Sequence, residues 1–228
     1  MVFPTHAAVA AFALAAGLAA GGCYAAPCPD AAAACAAGDA AGPRPDARPT
    51  TATFGERPGS TYKGVTTDTW LEAAAAAAMH GSDGSVYAQD TPVRVALVRF
   101  DVSAVPPGST VMRARLRLFN GSMQEGGGTL HAVPDDWIED EASWAEPRTG
   151  TPWSATPDSW PSMATFSTVA TYRELEAALP IAVAQAWVDD QAANHGIEIR
   201  TPSPNNFRAS EYPDASLRPQ LDLDYLAP

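Results

Sequence analysis

The chain has 228 residues and a formal net charge of −12 at pH 7. All of that net charge falls after residue 63, where 10 arginines stand against 22 acidic residues. Such an acidic domain argues against a nucleic-acid partner, because affinity for phosphate depends mainly on cationic side chains. It argues equally against electrostatic attachment to an anionic membrane surface.

The N-terminal segment has the pattern of an export signal. An apolar run from Val9 to Ala20 is too short to span a bilayer, and small residues follow it up to Cys23. We therefore predict a secretory signal peptide over residues 1–22 and an exported protein.

The end of this segment, Ala20-Gly21-Gly22-Cys23, resembles the lipoprotein box of bacterial exported proteins. In such a box Cys23 becomes the lipidated first residue, and the membrane is contacted only through that N-terminal lipid. Cleavage near Ala25 and a soluble secreted product are the alternative. With Cys23 lipidated, Cys28 and Cys35 remain as a pair that could form a disulfide in an oxidising compartment, or stay as unpaired thiols.

Residues 23–63 are rich in Ala, Pro, Gly, Asp and Thr and show no apolar periodicity. This composition buries too little apolar surface to offset the entropy of ordering the chain, so we predict a disordered linker. The folded domain is predicted over 64–228, which is long enough for one core. Its sequence contains no cysteine, which excludes a domain disulfide, a thiol nucleophile and a cysteine metal site.

Short stretches of alternating or β-branched residues run through this domain between Gly and Pro turns. The strand candidates are 65–71, 85–89, 93–101, 111–120, 129–133, 197–201 and 221–225. Both faces of 93–101 are apolar, as in a strand covered on both sides. Gly126-Gly127-Gly128 predicts a hairpin turn, 180–193 predicts one short helix, and 221–225 is expected to pair near the first strand. The spacing predicts an all-β antiparallel sandwich.

Five motif segments follow one another in this domain. They are Asp68-Thr69-Trp70, L-V-R-F-D-V-S at 97–103, A-R-L-R-L at 114–118, V-P-D-D-W-I-E-D-E-A-S-W-A-E-P at 133–147, and the segment from Trp187 to Tyr225 with its F-R-A-S-E and R-P-Q-L-D-L-D-Y runs. Their order resembles that of bacterial DNRLRE-domain proteins, a family related to the disaggregatase-related repeat and to carbohydrate-binding modules of some alginate lyases. The resemblance implies a jelly-roll-like β-sandwich and a non-catalytic module, with sugar binding in part of the family. The alanines at 73–78 and the tract 149–161 depart from the family pattern.

Two tryptophans, Trp153 and Trp160, stand in that divergent tract, which is rich in Pro, Ser and Thr. Aromatic faces on loops offer flat apolar area to sugar C–H groups at low entropic cost. One interpretation is therefore that both rings are exposed and contact a polysaccharide or cell-surface glycan. The alternative is that both rings turn inward and anchor the loop.

An acidic cluster that includes Asp135, Asp136 and Glu139 precedes this tract. Carboxylate oxygens are the ligands that calcium prefers, although the chain has no EF-hand spacing. A calcium site is one interpretation of the cluster, a pair of glycosidase carboxylates is another, and a solvated acidic surface is the third. We expect no other cofactor.

The sequence favours a non-catalytic exported surface module that binds carbohydrate or a cell-surface polymer. A purely structural or adhesive component of a surface assembly, with no small ligand, is the alternative. A polysaccharide-acting enzyme is the least favoured function, because an acidic pair without a tract that forms a substrate cleft is usually part of the surface. Neither H-E-x-x-H nor G-x-S-x-G occurs in the sequence.

Overall fold

The computed structural model describes residues 48–64, 66–169 and 171–228. The predicted signal peptide over 1–22, the lipidation site Cys23 and the pair Cys28 and Cys35 lie outside these residues. No helix within the described ranges is long and apolar enough to cross a membrane.

The described ranges form an all-β protein with one short α-helix, as the sequence predicts. The strands are β1 (Thr50–Phe54), β2 (Thr66–Glu72), β3 (Ser85–Asp90), β4 (Val93–Phe100), β5 (Thr110–Asn120), β6 (Gly126–Ala132), β7 (Ser162–Val169), β8 (Arg173–Ala178), β9 (Ile197–Arg200), β10 (Asn205–Arg208) and β11 (Gln220–Leu226). The helix α1 spans Ile181–Asp189 and follows Pro180. Proline has no backbone N–H, and an N–H at this position would have no hydrogen-bond partner within the helix, so the helix loses no bond there. Every pairing between these strands is antiparallel.

The strands form the two layers of a sandwich. In the first sheet β1, β11 and β5 lie side by side, and β8 and β10 also pair with β5. In the second sheet the order is β2-β4-β9-β6-β7. Strand β3 pairs with β10 and, at its end, with β4, so it connects the two sheets.

The main core lies between the sheets. Leu116 and Leu221 of the first sheet and Val98 and Ile199 of the second are buried in it almost completely. Burying each of these side chains stabilises the fold by about 1.5 to 3 kcal/mol relative to an exposed position. The sandwich is therefore held together chiefly by the inward faces of alternating strands.

A second apolar cluster covers the outer face of the second sheet. Val95 and Leu97 of β4 point into this cluster, whereas Ala96 and Val98 point into the main core, in agreement with the two apolar faces predicted for this strand. The cluster is completed by residues of β2 and of the segment 133–161, namely Leu71, Val133, Trp137, Ala142, Trp153 and Trp160. That segment is therefore a lid of packed side chains over the sheet.

The linker prediction over 23–63 is wrong at its C-terminal end, because β1 lies within it. All five residues of β1 pair with β11, and Ala52 and Phe54 are 1% and 0% exposed. Arg57 donates to the main-chain oxygen of Arg218 and to Glu174. The folded domain thus includes β1 and starts before residue 64.

Three further features differ from the sequence predictions. Gly126-Gly127-Gly128 open β6 instead of forming a hairpin turn, and Gly126 and Gly128 pair with β7 around an irregularity at Gly127. Strand β11 pairs with β1 and β5 and not with β2. Strand β8, Arg-Glu-Leu-Glu-Ala-Ala, consists largely of helix-forming residues, but Glu174 and Glu176 form ion pairs across to Arg115 and Arg117 of β5, so tertiary contacts override the local preference.

Candidate functional site

Trp153 and Trp160 are buried, so the interpretation that both rings are exposed is wrong. They are 9% and 3% exposed and contact each other edge to face, with ring centroids 5.1 Å apart. The indole N–H of Trp153 donates to the main-chain oxygen of Ser143 at 2.9 Å, and that of Trp160 donates to Ala155 at 3.2 Å. Both rings anchor the lid on the second sheet, which was the alternative interpretation.

Replacing Trp153 by Ala is therefore expected to lower stability. Truncating a buried tryptophan costs about 3 to 5 kcal/mol, and this ring lies at the edge of its cluster, so we expect a loss at the lower end of that range. Chemical denaturation of Trp153→Ala beside Trp153→Phe measures it, since phenylalanine retains most of the apolar volume. Equal stability of wild type and Trp153→Ala would contradict the burial.

The predicted metal ligands Asp135, Asp136 and Glu139 do not converge on one point. Asp135 accepts hydrogen bonds from the N–H and hydroxyl of Ser154 at 2.9 and 2.8 Å and thereby fixes the lid. Asp136 pairs with Arg99 at 2.7 Å and with Arg148 at 2.9 Å. Partial burial acts to raise the pKa of Asp136, but the two guanidinium groups hold it below its usual range.

Glu139 instead joins two carboxylates that the sequence analysis did not single out. One oxygen each from Asp68, Glu139 and Glu211 lies within 4.8 Å of the others, and we call this group the carboxylate triad. Asp68 is on β2, Glu139 is in the lid, and Glu211 follows β10. The main-chain N–H of Asp68 donates to Glu139 at 2.6 Å, and the main-chain N–H of Ser210 donates to Asp68 at 2.8 Å.

Burial and mutual repulsion both disfavour the charged forms in this triad. Burial raises the pKa of Asp68 well above its usual range, and the neighbouring Glu211 and Glu139 raise it further, although hydrogen bonds from Ser210 oppose this. Burial also raises the pKa of Glu139 to about 7, with added repulsion from Glu211 and Asp140. The fold therefore concentrates negative charge at a place where water stabilises it poorly.

A depression with two tyrosines in its walls lies between β3 and the segment after β10. It is an open cleft of about 380 Å³, which we call the tyrosine cleft, and its lining residues are Asp83, Gly84, Ser85, Tyr87, Tyr212 and Pro213. Both tyrosines are half-buried, so part of each ring remains open to solvent. This cleft therefore combines flat apolar surfaces with the polar groups of Asp83 and Ser85.

Neighbouring side chains fix the walls of the tyrosine cleft. The Arg208 guanidinium lies 4.3 Å from the centroid of the Tyr212 ring and donates to the Ser85 hydroxyl at 3.1 Å. Tyr87 packs edge to face on Trp70 at 5.0 Å between centroids. The Trp70 N–H in turn donates to Asp83 at 2.9 Å. The cleft is preorganised, because its aromatic walls belong to a connected set of contacts.

A slightly larger polar cavity of about 410 Å³ lies next to Arg99, Asp136 and His195. Its charged and aromatic groups are already engaged within the protein. Arg99 binds Asp136 and the main-chain oxygen of Trp137, and the two ring nitrogens of His195 lie 2.9 and 3.0 Å from the main-chain oxygens of Pro134 and Ala192. The described residues that line this cavity include no tyrosine or tryptophan ring, so they provide none of the flat apolar walls of the tyrosine cleft.

No protein-family model matches the chain, and no curated protein matches it. The description of the site therefore depends on its geometry alone.

The residues of both sites carry only weak signals in the sequence. Tyr87 lies in an ordinary strand, and Tyr212 follows Glu211 in a polar loop. Asp68 and Glu211 do fall inside motif segments, the D-T-W and F-R-A-S-E runs, and Glu139 falls in the W-I-E run. The sequence feature that could have predicted the triad is that each of three separate motif segments contains one of its acids.

Proposed function

We propose that the chain is an exported, non-catalytic surface module that binds a neutral carbohydrate in the tyrosine cleft. The observation that carries this proposal is a preorganised cleft with two half-buried tyrosine rings, Tyr87 and Tyr212, beside polar groups. The motif order that resembles DNRLRE-domain proteins supports the same proposal, because members of that family are mostly non-catalytic modules of secreted proteins.

The chemistry of the cleft suits a sugar ring. The face of a tyrosine ring is electronegative, and the axial C–H groups of a pyranose present a weakly positive apolar face that packs on it. The carboxylate of Asp83 can accept hydrogen bonds from sugar hydroxyls, and the hydroxyl of Ser85 can both donate and accept. Few polar groups beside apolar walls are the usual composition of a small-ligand site.

Charge favours a neutral glycan over a uronate polymer. The domain is strongly acidic, and Asp83 lines the cleft itself while Glu211 adjoins Tyr212. The nearby Arg94 is already held by Glu72, with two hydrogen bonds of 2.9 and 2.6 Å. Arg208 adds one positive charge at the cleft wall, where it already contacts the Tyr212 ring and the Ser85 hydroxyl. The preference for a neutral glycan therefore depends on Asp83, Glu211 and the net charge of −12, which repel an anionic chain or a nucleic acid.

A non-catalytic role agrees with the positions of the perturbed carboxylates. The carboxylates whose pKa burial raises line neither of the two larger cavities; they are Asp68, Glu139, Glu198 and Asp222. Asp136 does line the larger cavity, but its partial burial is outweighed by Arg99 and Arg148, which lower its pKa. A glycosidase needs two carboxyl groups that flank a bound glycosidic bond in a cleft. We therefore place hydrolysis below binding, as the sequence did.

The proposed location follows from the N-terminal sequence. We propose export through the signal peptide over 1–22 and attachment to the bacterial cell envelope through lipid on Cys23. The long N-terminal segment before β1 would then hold the sandwich away from the membrane.

The binding proposal is tested by replacing Tyr212 with Ala. Removing one stacking ring should weaken retention on the bound polysaccharide by about 10-fold, equivalent to about 1.4 kcal/mol, because a ring face is lost while the fold persists. A panel of neutral and acidic polysaccharides in affinity electrophoresis first identifies the ligand. Tyr212→Phe should bind nearly as wild type, since the ring face remains.

The matched control is Tyr172→Ala, which removes a tyrosine that is 53% exposed and does not line the cleft. Its retention should equal that of wild type. Equal weakening by both tyrosine replacements would contradict the assignment of the cleft. Absence of binding to every polysaccharide in the panel would favour the purely structural role in a surface assembly.

A further inference from the structure

The carboxylate triad lacks a positive partner. Within residues 48–64, 66–169 and 171–228, none of Asp68, Glu139 and Glu211 takes part in an ion pair. The triad carries up to three negative charges whose oxygens lie within 4.8 Å. Like charges at this spacing repel strongly when they are shielded from water.

The lack of a cationic partner is most unfavourable at Asp68, because its side chain is 1% exposed. Its Oδ2 accepts the N–H of Ser210, but its Oδ1 is buried without any hydrogen-bond partner. Leaving a buried carboxylate oxygen unsatisfied costs several kcal/mol, and a buried charge without a counter-ion costs more. A fold that keeps an acid here must neutralise it, either with a proton or with a bound cation.

The other buried acids of the domain show how this chain normally solves the problem. Glu198 is 0% exposed and binds Arg200 at 2.8 Å. Asp222 is 5% exposed and binds Arg117 at 2.9 Å. Asp68 is buried as deeply as these two acids, but the charged side chains that lie beside it are the carboxylates of Glu139 and Glu211 and not an arginine.

We propose that the carboxylate triad of Asp68, Glu139 and Glu211 binds one divalent cation, calcium, with the unpartnered Oδ1 of Asp68 as its innermost ligand. This site differs from the one predicted at Asp135, Asp136 and Glu139, of which it retains only Glu139. The ligand set consists of oxygen atoms alone, which suits a hard cation and not zinc or copper. Glu211 is exposed, so water can complete the six to eight ligands that calcium takes, whereas magnesium demands a tighter octahedron.

The cation would join three separate parts of the fold. Asp68 belongs to β2 of the second sheet, Glu139 to the lid, and Glu211 to the segment that follows β10 in the first sheet. The backbone around Glu139 is already closely packed, since a side chain on Gly81 would overlap the main-chain carbonyl of Glu139. The site is therefore structural, and it stands whether or not the tyrosine cleft binds a glycan.

The test is calcium binding to the full chain, measured by calorimetry and by thermal unfolding in EDTA, calcium and magnesium. We expect one calcium per chain with a dissociation constant on the order of 10⁻⁴ M or tighter, in the range of extracellular calcium modules. Calcium at about 100 times that constant should raise the midpoint of unfolding by about 5 °C or more. Magnesium should bind at least about 10-fold more weakly.

Two variants separate a lost ligand from a damaged fold. Glu211→Gln changes an exposed side chain, so its midpoint in EDTA should equal that of wild type while its calcium affinity falls about 10-fold. Asp68→Asn should abolish calcium binding and unfold in EDTA no earlier than wild type, because it removes a buried unpaired charge. The control Glu125→Gln, which removes one exposed charge elsewhere, should leave calcium binding unchanged.

Three results would overturn the proposal. One is the absence of calcium binding and of any thermal shift up to about 10 mM, beyond the weakest extracellular modules. Another is an equal loss of affinity in Glu211→Gln and Glu125→Gln, which would indicate diffuse attraction to an acidic surface. The third is magnesium binding as tight as calcium, which would reject the choice of metal.

Discussion

A chain that begins at Gly64 should unfold well below the temperature of the full chain, or fail to fold, whereas a chain that begins at Arg48 should match it. The difference between the two is the segment that carries β1. Its residues Thr50–Phe54 pair one to one with Tyr225–Leu221 of β11. Without β1, β11 becomes an unprotected edge of the first sheet, and its exposed backbone groups invite aggregation.

The size of the effect follows from the side chains that are lost. Phe54 is 0% exposed and stacks on Tyr62 with ring centroids 5.0 Å apart. Truncating one buried phenylalanine already costs about 3 to 5 kcal/mol. Arg57, which is 7% exposed and bound to Glu174, is removed as well, and Glu174 loses that partner. A domain is stable by only about 5 to 15 kcal/mol, so this deletion should remove most of its stability.

Thermal unfolding of the two shortened chains and of the full chain measures this difference. The point variant Phe54→Ala in the full chain is the control for the core contribution, and it should lie between the two shortened chains. Equal unfolding midpoints for the chains that begin at Arg48 and Gly64 would show that β1 adds nothing to the domain, in contradiction of its pairing with β11.

The same segment shows what local patterns can and cannot predict. Strands β5 and β11 alternate between apolar and polar residues, so their period of two predicts them directly, and the continuous apolar run of β4 predicts a strand covered on both faces. Strand β1 alternates too, with Ala52 and Phe54 inward, but it has five residues and follows a long Pro- and Ala-rich stretch. Its stability comes from pairing with β11, about 170 residues later in the chain, which local composition does not encode.

The tryptophans illustrate a second limit. The two apolar faces of β4 predict that something covers Val95 and Leu97, but the alternation does not say which segment does so. The tract around Trp153 and Trp160 supplies this cover despite its Pro, Ser and Thr content. The composition of the loop favoured exposed tryptophan rings. The rings are buried instead, because packing them on the apolar outer face of the second sheet removes apolar surface from water.

Long-range convergence is the third limit. Alternation places Asp68 on a strand, but it cannot predict that Glu139 and Glu211 reach the same point, since that depends on the path of the lid and on the register of β10. The five motif segments of the domain sequence include all three acids. The segments indicate where each acid lies along the chain, while their proximity is a property of the fold.

Replacing Gly128 by Ala should destabilise the domain by at least about 3 kcal/mol and lower its unfolding midpoint by about 10 °C. Gly128 lies inside β6, where the sequence predicted a turn. A Cβ atom at this position would overlap both the main-chain oxygen of Arg200 on β9 and the ring of Phe166 on β7. The neighbouring strands can approach β6 this closely only because residue 128 has no side chain.

The matched control is Gly126→Ala, two residues earlier in the same strand, where the nearest atoms to an added Cβ lie 3.9 Å away. This variant should be neutral or slightly stabilising, because alanine restricts the unfolded chain more than glycine does. The double variant Gly128→Ala with Phe166→Ala relieves only the overlap with the ring, and the Arg200 carbonyl is held in the ladder between β6 and β9. Because Phe166 is buried, its truncation is destabilising by itself, so the double variant is compared with Phe166→Ala alone. The double variant should unfold well below Phe166→Ala, and equal midpoints for these two variants would assign the strain to the ring of Phe166 instead of the backbone.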